Sequence, residues 1–230
     1  MVTRNTQFAF GEHYHVYNRG VEKRVVFNDQ SDHQRFQDLL YLANSSESIN
    51  VRDIYRTHDS PYEYERIEQL VAIGAYCLMP NHFHILLTPL VDDGVARFMG
   101  KLGTSYSMYF NKRTNRTGRL FESTYKTKHV SEDRYLKYLY AYIHLNPVKL
   151  INSDWRELGV HDIDATFSYL QNYRHSSYLD YVVDEKRDEA AILNRELFPD
   201  YFVTTDEHQK ELLEWLGTIP RVTLGIKINP

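Results

Sequence analysis

Residues 71–88 contain two β-rich apolar runs separated by Met79-Pro80-Asn81. That tripeptide is a turn signal, so the runs predict a hairpin of Val71 to Leu78 against His82 to Thr88. The first run is apolar enough for a buried strand. Other elements arrange themselves around this pair. His13 to Asn18 alternates and stops at Gly20, predicting an earlier strand. Ser31-Asp32 opens a helix whose apolar face is Phe36, Leu39, Leu40 and Leu42. Ser45 to Pro61 is mixed and polar, predicting a loop with a short strand near Asn50 to Tyr55.

After the hairpin, Asp92-Asp93 opens a helix carrying Val95, Phe98, Leu102 and Tyr109 and ending near Asn111. Phe121 to Val130 predicts a strand, and Ser131 caps a helix running to about Leu145. Pro147 disfavours helical backbone at Asn146 and should end that helix. The first six elements follow strand, helix, strand, strand, helix, strand. The expected fold is therefore α+β: a ferredoxin-like antiparallel sheet with helices on one face, plus a C-terminal helical extension. The expected division is a catalytic domain at 1–150 and an acidic, mainly helical extension at 151–230. In the extension, Glu189 to Leu197 and Asp206 to Leu216 predict two short amphipathic helices.

Charge distribution narrows the function classes. The formal total is −4, but residues 101–150 carry 10 Lys/Arg against 3 Asp/Glu, and residues 151–230 carry 8 against 15. A phosphate backbone responds to the local field, so the basic block favours a nucleic-acid partner despite the acidic total. The single cysteine, Cys77, excludes an intrachain disulfide and a disulfide-built secreted scaffold. No apolar stretch approaches the roughly 20 residues that a spanning helix needs, and no signal-peptide pattern is visible. A cytoplasmic location with no membrane partner is expected.

Two short segments carry candidate chemistry. His82 and His84 stand at i and i+2 of a predicted strand and share one face, which makes half of a metal site. Tyr142 and Asn146 stand at i and i+4 on the last predicted helix, so they lie one turn apart on one side. His144 points about 200° around that helix from Tyr142 and is not a candidate base. Tyr138, one turn before Tyr142, is the nearest substitute nucleophile. His15 reads as a core or strand-surface residue.

Four segments together resemble a known family. They are Tyr14-His15-Val16 with Asn18-Arg19-Gly20; Tyr76 to His84; Tyr109-Phe110-Asn111 with Thr117-Gly118; and Tyr142-Ile143-His144-Leu145-Asn146-Pro147. In order and spacing they resemble the single-tyrosine HUH transposases, most closely the REP-associated tyrosine transposases of the IS200-like group. The resemblance covers roughly residues 8–180. It implies a ferredoxin-like fold, Tyr142 as nucleophile, and His82, His84 and Asn146 as ligands of Mg²⁺ or Mn²⁺. The implied reaction is cleavage and rejoining of single-stranded DNA hairpins, REP-like palindromes, through a covalent 5′-phosphotyrosine.

Asn18 and Arg19 match a family motif and are expected at the DNA. Lys101, Lys112, Arg113, Arg116, Arg119, Lys126 and Lys128 interleave with Tyr106, Tyr109, Phe110, Phe121 and Tyr125, a mixture suited to backbone neutralisation and base stacking. Two features depart from the family: His175 stands where tryptophan is usual, and the linker from Ser45 to Gln69 is long. The sequence leaves monomer and homodimer both open. The competing readings are a non-catalytic hairpin DNA- or RNA-binding protein and a hydrolase that activates water.

Overall fold

The computed structural model describes residues 7–182, 187–202 and 204–217. Four strands form one antiparallel sheet: β1 (His13–Arg19), β2 (Val71–Met79), β3 (His82–Pro89) and β4 (Lys126–Val130), in the order β2-β3-β1-β4. This is the ferredoxin-like arrangement expected. The hairpin joins β2 to β3 through Pro80 and Asn81, pairing Met79 with His82 and Leu78 with Phe83. β1 pairs with β3 so that Arg19 faces His82 and Tyr17 faces His84.

Strand alternation gives the sheet two different faces. One carries Tyr14, Val16, Ile73, Tyr76, Leu78, Phe83, Ile85 and Leu87. Helices α1 (Gln30–Leu42) and α3 (Gly94–Arg113) close it with Phe36, Leu39, Leu40, Phe98, Leu102 and Tyr106. Each large side chain fully buried there contributes roughly 1.5–3 kcal/mol. The expectation of helices on one face holds for these two. Helix α4 (Asp133–His144) lies on the opposite face, against Ala72, Ala75, Cys77, Met79 and Leu86. The strand residues beneath it are mostly small, which lets the helix approach closely. Gly74 carries this furthest: a Cβ there would stand 2.8 Å from the Tyr140 hydroxyl and 2.9 Å from the Phe198 ring.

Several element boundaries differ from expectation for visible reasons. Residues 51–57 form helix α2, not a strand, because the Asn50 side chain caps it by accepting from the Asp53 amide. Together with a 3-10 turn at Pro61–Glu63, α2 occupies the long linker. β4 starts at Lys126 rather than Phe121. The Asn18 side chain holds the preceding segment out of the ladder by donating to the carbonyls of Ser123 (2.8 Å) and Thr124 (3.0 Å). Helix α4 is preceded by Glu132, not Ser131, without a side-chain cap. It stops at His144, and a 3-10 turn at Asn146–Leu150 follows with Pro147 in its first turn.

The C-terminal region is stitched to the same sheet. Helices α5 (Trp155–Leu158), α6 (Ile163–Asn172), α7 (Leu179–Val182) and α8 (Thr205–Gly217) follow one another along it. Residues of this region pack with Ala141, Leu145 and Val148 around Trp155, Tyr178, Leu212 and Leu216. Residues 175–177 lie along β2, with the Leu78 amide donating to the His175 carbonyl and the Ser177 amide to the Tyr76 carbonyl, both at 2.9 Å. The helix expected at 189–197 is two 3-10 turns, Asp188–Ile192 and Arg195–Leu197. Between them Asn194 makes strand-like bonds to Ile73, which interrupts helical backbone. The α8 expectation is met. Among the described residues no helix is long and apolar enough to cross a membrane.

Candidate active site

β3 presents His82 and His84 toward α4, while Phe83 and Ile85 point into the opposite core. The two imidazole centroids are 5.0 Å apart. His84 is 1% exposed and His82 8%. Each ring has one nitrogen occupied by a neighbour. His82 Nδ1 lies 2.6 Å from the Asn81 side-chain oxygen. His84 Nδ1 lies 2.9 Å from His15 Nε2. With Nδ1 as the donor, His84 Nε2 keeps its lone pair, and it has no hydrogen-bond partner. Fixing one imidazole nitrogen so that the other is aimed is the usual support for a metal-bound histidine. His15, read from sequence as a core or strand-surface residue, is fully buried, and its ring lies against that of His84.

Helix α4 brings Tyr142 over these rings. Its centroid is 5.3 Å from His84 and 5.9 Å from His15, edge-on to both. Tyr142 is 3% exposed, and its hydroxyl has no partner. Asn146 follows just past the helix, equally buried, and its side chain hydrogen-bonds His82. Its Nδ2 is unpaired. The sheet and α4 therefore gather His82, His84, Tyr142 and Asn146 into one place. Three unpaired buried polar atoms in one site is a costly arrangement unless a ligand completes it.

The surroundings are cationic. Burial, then Arg19, Lys149 and Arg156, pushes His82 down to about 3, against an opposing hydrogen bond in which the Asn146 amide oxygen accepts. Burial, with His82, His15, Arg156 and Lys149 adding to it, drives His84 well below the ordinary histidine range. Burial, with Lys128 adding to it, pulls His15 down to about 3. All three imidazoles are neutral at neutral pH, the state in which a metal accepts them. Among the described residues no group of three or more His, Cys, Asp or Glu side chains has metal-binding geometry. A divalent ion here could draw on two imidazoles and one amide as protein ligands. The unpaired lone pair on His84 and the Asn146 amide would fit that set, a ligand number that would leave positions for oxygens from outside.

Arg19 stands opposite His82 and belongs to this site. Lys149 and Arg156 also belong to it and were missed from sequence. Lys149 lies three residues past Asn146, a spacing that signals proximity; Arg156 lies in the acidic extension and gave no local signal. The other basic residues divide. Asn18 is 2% exposed and its amide is spent on the Ser123 and Thr124 carbonyls, so its place is structural. The Arg113 guanidinium is spent on Asp29 and Asp32 at the start of α1. Arg116 is tied to Asn111 at 2.6 Å, and Lys101 to the Ser45 and Glu47 carbonyls. Lys112, Arg119, Lys126 and Lys128 are exposed. Lys128 lies 4.2 Å above the Tyr135 ring, and Lys126 is 3.6 Å from Glu122. Of the interleaved aromatics, Tyr106, Phe110, Phe121 and Tyr125 are core residues rather than a stacking platform.

The model of the family described as transposase IS200 like matches residues 9–146, well over half of the chain. The chain belongs to the IS200-like transposase family. The matched span of this IS200-like transposase includes β1, the β2–β3 hairpin and all of α4, and it ends on Asn146. Among solved structures, a REP-associated tyrosine transposase bound to a REP hairpin shares its fold, with a TM-score of 0.50 and 14% identity over the whole of both chains. No curated protein matches it. A general DNA-processing role comes with family membership. The departure at His175 keeps an aromatic contact: its ring stacks on His33 at 3.8 Å.

Proposed function

We propose that the chain is a metal-dependent single-stranded DNA transposase and endonuclease that cleaves and rejoins hairpin DNA through a covalent 5′-phosphotyrosine on Tyr142. The observation that carries this reading is the buried, unpartnered Tyr142 hydroxyl above His84, whose Nε2 is equally unpartnered. His82, His84 and Asn146 would hold Mg²⁺ or Mn²⁺. When bound, such an ion supplies charge neutralisation at the phosphate and at the departing 3′-oxygen.

The chain's own groups do the rest. The phenolic oxygen of Tyr142 forms a bond to phosphorus while the bond from phosphorus to the 3′-oxygen breaks. The phenol loses its proton and the departing 3′-oxygen gains one, so nothing is oxidised or reduced. Phosphotyrosine conserves the energy of the broken linkage, and attack by a 3′-hydroxyl reverses the step without ATP. His144 takes no part as a base: both its nitrogens are bonded elsewhere, to His208 and Ser177.

The proposed substrate is a REP-like single-stranded hairpin. The fold neighbour was solved with a REP hairpin, and the cations around Tyr142 suit a polyanion. Lys112, Arg119, Lys126 and Lys128 are exposed, and Arg119 lines a groove of about 630 Å³ together with Asn111, Thr104 and Tyr125. Arg116 stands beside them through Asn111.

The test is a denaturing gel of hairpin DNA with wild type and Tyr142→Phe in Mn²⁺, followed by peptide mapping of any adduct. The hydroxyl has no partner to lose, so the variant should fold and bind normally. We expect cleavage and the covalent adduct both to fall by at least about 1000-fold, as when an enzyme loses its nucleophile. Undiminished cleavage would favour water as the nucleophile. No cleavage by either protein would favour a binding module. An adduct mapping to Tyr138 would move the nucleophile by one turn.

A further inference from the structure

Arg156 stands over the Tyr142 ring, and it lies outside the span matched by the family. Trp155, 2% exposed, plugs into the core formed by Ala141, Leu145 and Leu170 and anchors the short helix α5. That anchor turns the next side chain back toward α4. The Arg156 guanidinium carbon stands 4.6 Å above the centroid of the Tyr142 ring and 5.5 Å from that of Trp155. Its field reaches His82, His84 and Lys149. Yet two of its nitrogens, Nε and Nη2, are buried with no hydrogen-bond partner. A guanidinium with a buried, unpaired edge is expensive to maintain. The Nε–Nη2 edge is also the fork that matches two oxygens of a phosphate.

Building on the reading of Tyr142 as nucleophile, we propose that Arg156 is the residue that grips the scissile phosphate. Nε and Nη2 donate to its two non-bridging oxygens, while the guanidinium face rests on the Tyr142 ring. One side chain then fixes both reacting partners relative to each other. The ring contact restrains the nucleophile, and the fork orients the phosphorus beside it. Lysine at this position would supply the charge without the fork.

The first measurement needs neither metal nor DNA cleavage. Inorganic phosphate is titrated into the full chain in EDTA while the imidazole proton signals of His82 and His84 are followed by NMR. Saturable shifts are expected in wild type. Arg156→Gln should weaken phosphate binding by about tenfold or more, the usual scale for a charge-assisted pair. Arg156→Lys keeps an aliphatic stem on Trp155, serves if the glutamine variant does not fold, and should fall between the two. Absent shifts in wild type, or equal affinity in either variant, would overturn the proposal.

The second measurement uses the Tyr142→Phe protein, which keeps the ring, and a hairpin oligonucleotide spanning the mapped cleavage position. Replacing the scissile phosphate by a neutral methylphosphonate should weaken binding in that protein. The same replacement should cost little once Arg156→Gln is added. An equal loss in both proteins would place the grip on another residue. If Tyr142→Phe retained its adduct, the nucleophile assignment would fail while the phosphate titration still judged Arg156.

Discussion

Two buried histidine groups flank α4, and they differ in what their nitrogens have left to do. Beneath Tyr142, His84 is held by His15 through one nitrogen and keeps the other unpaired. Behind the helix, His144 uses both nitrogens, toward His208 at 3.0 Å and the Ser177 hydroxyl at 2.9 Å. Ser177 in turn bonds the β2 backbone at Tyr76. Both groups are deeply buried and both are pushed down by that burial. Depth and shifted pKa therefore do not separate a site from a structural network. What surrounds the unspent nitrogen does. The His208 nitrogen left over, Nδ1, belongs to a ring in contact with those of Tyr181, Tyr178 and Phe202. The His84 nitrogen left over belongs to a ring beside the Tyr142 phenol and in the field of Arg156 and Lys149.

The contrast breaks most sharply at His84. His84→Ala should lower metal-dependent cleavage by more than about 100-fold, beyond what loss of a ligand's hydrogen-bond partner usually costs. Hairpin affinity, measured by filter binding, should stay within a few-fold of wild type. Full activity of the His82→Ala, His84→Ala double variant would remove the metal site. At the other group the effect should reverse. His144→Ala leaves His208 Nε2 without its partner and weakens the tie to Ser177. Denaturant unfolding should show a loss of about 1–3 kcal/mol, with cleavage per folded molecule unchanged. A variant of wild-type stability but lost activity would erase the distinction between the groups.

A smaller effect sharpens it through pH. Burial, with Arg195 adding to it, lowers His208 to about 3, against an ordinary 6.5. The unfolded chain binds this proton between those values and the folded chain does not. The contribution to stability is full above pH 6.5 and drains away as pH falls toward about 3. In that window His208→Gln should flatten the pH dependence of unfolding free energy by up to about 1.4 kcal/mol per pH unit, one proton's worth. An unchanged slope would mean that His208 is protonated in the fold.

Much of the sheet was legible because its signals are local. Met79-Pro80-Asn81 marks the hairpin, alternation marks β1, and Pro147 marks the end of α4. Where tertiary contacts competed, local reading failed. Asn50 caps a helix in a stretch that looked like a strand, Asn18 pulls residues 121–125 out of β4, and Asn194 trades helix for a bond to β2. The basic block shows the same limit. Its charge was readable, but the capture of Arg113 by Asp29 and Asp32 was not, since those residues are more than 80 positions apart.

The sequence by itself determined that His82 and His84 share a face and that Tyr142 and Asn146 share a side of one helix, because strand and helix periods act over a few residues. Through the family resemblance it also joined those pairs into one expected site. Tertiary structure decided what surrounds them. The register of β1 on β3 puts His15 against His84 and Arg19 beside His82. The small residues of β2 admit α4 to that face, and the anchoring of Trp155 returns Arg156 from the acidic extension to the Tyr142 ring. Those contacts depend on how distant segments pack, and no short-range pattern encodes them.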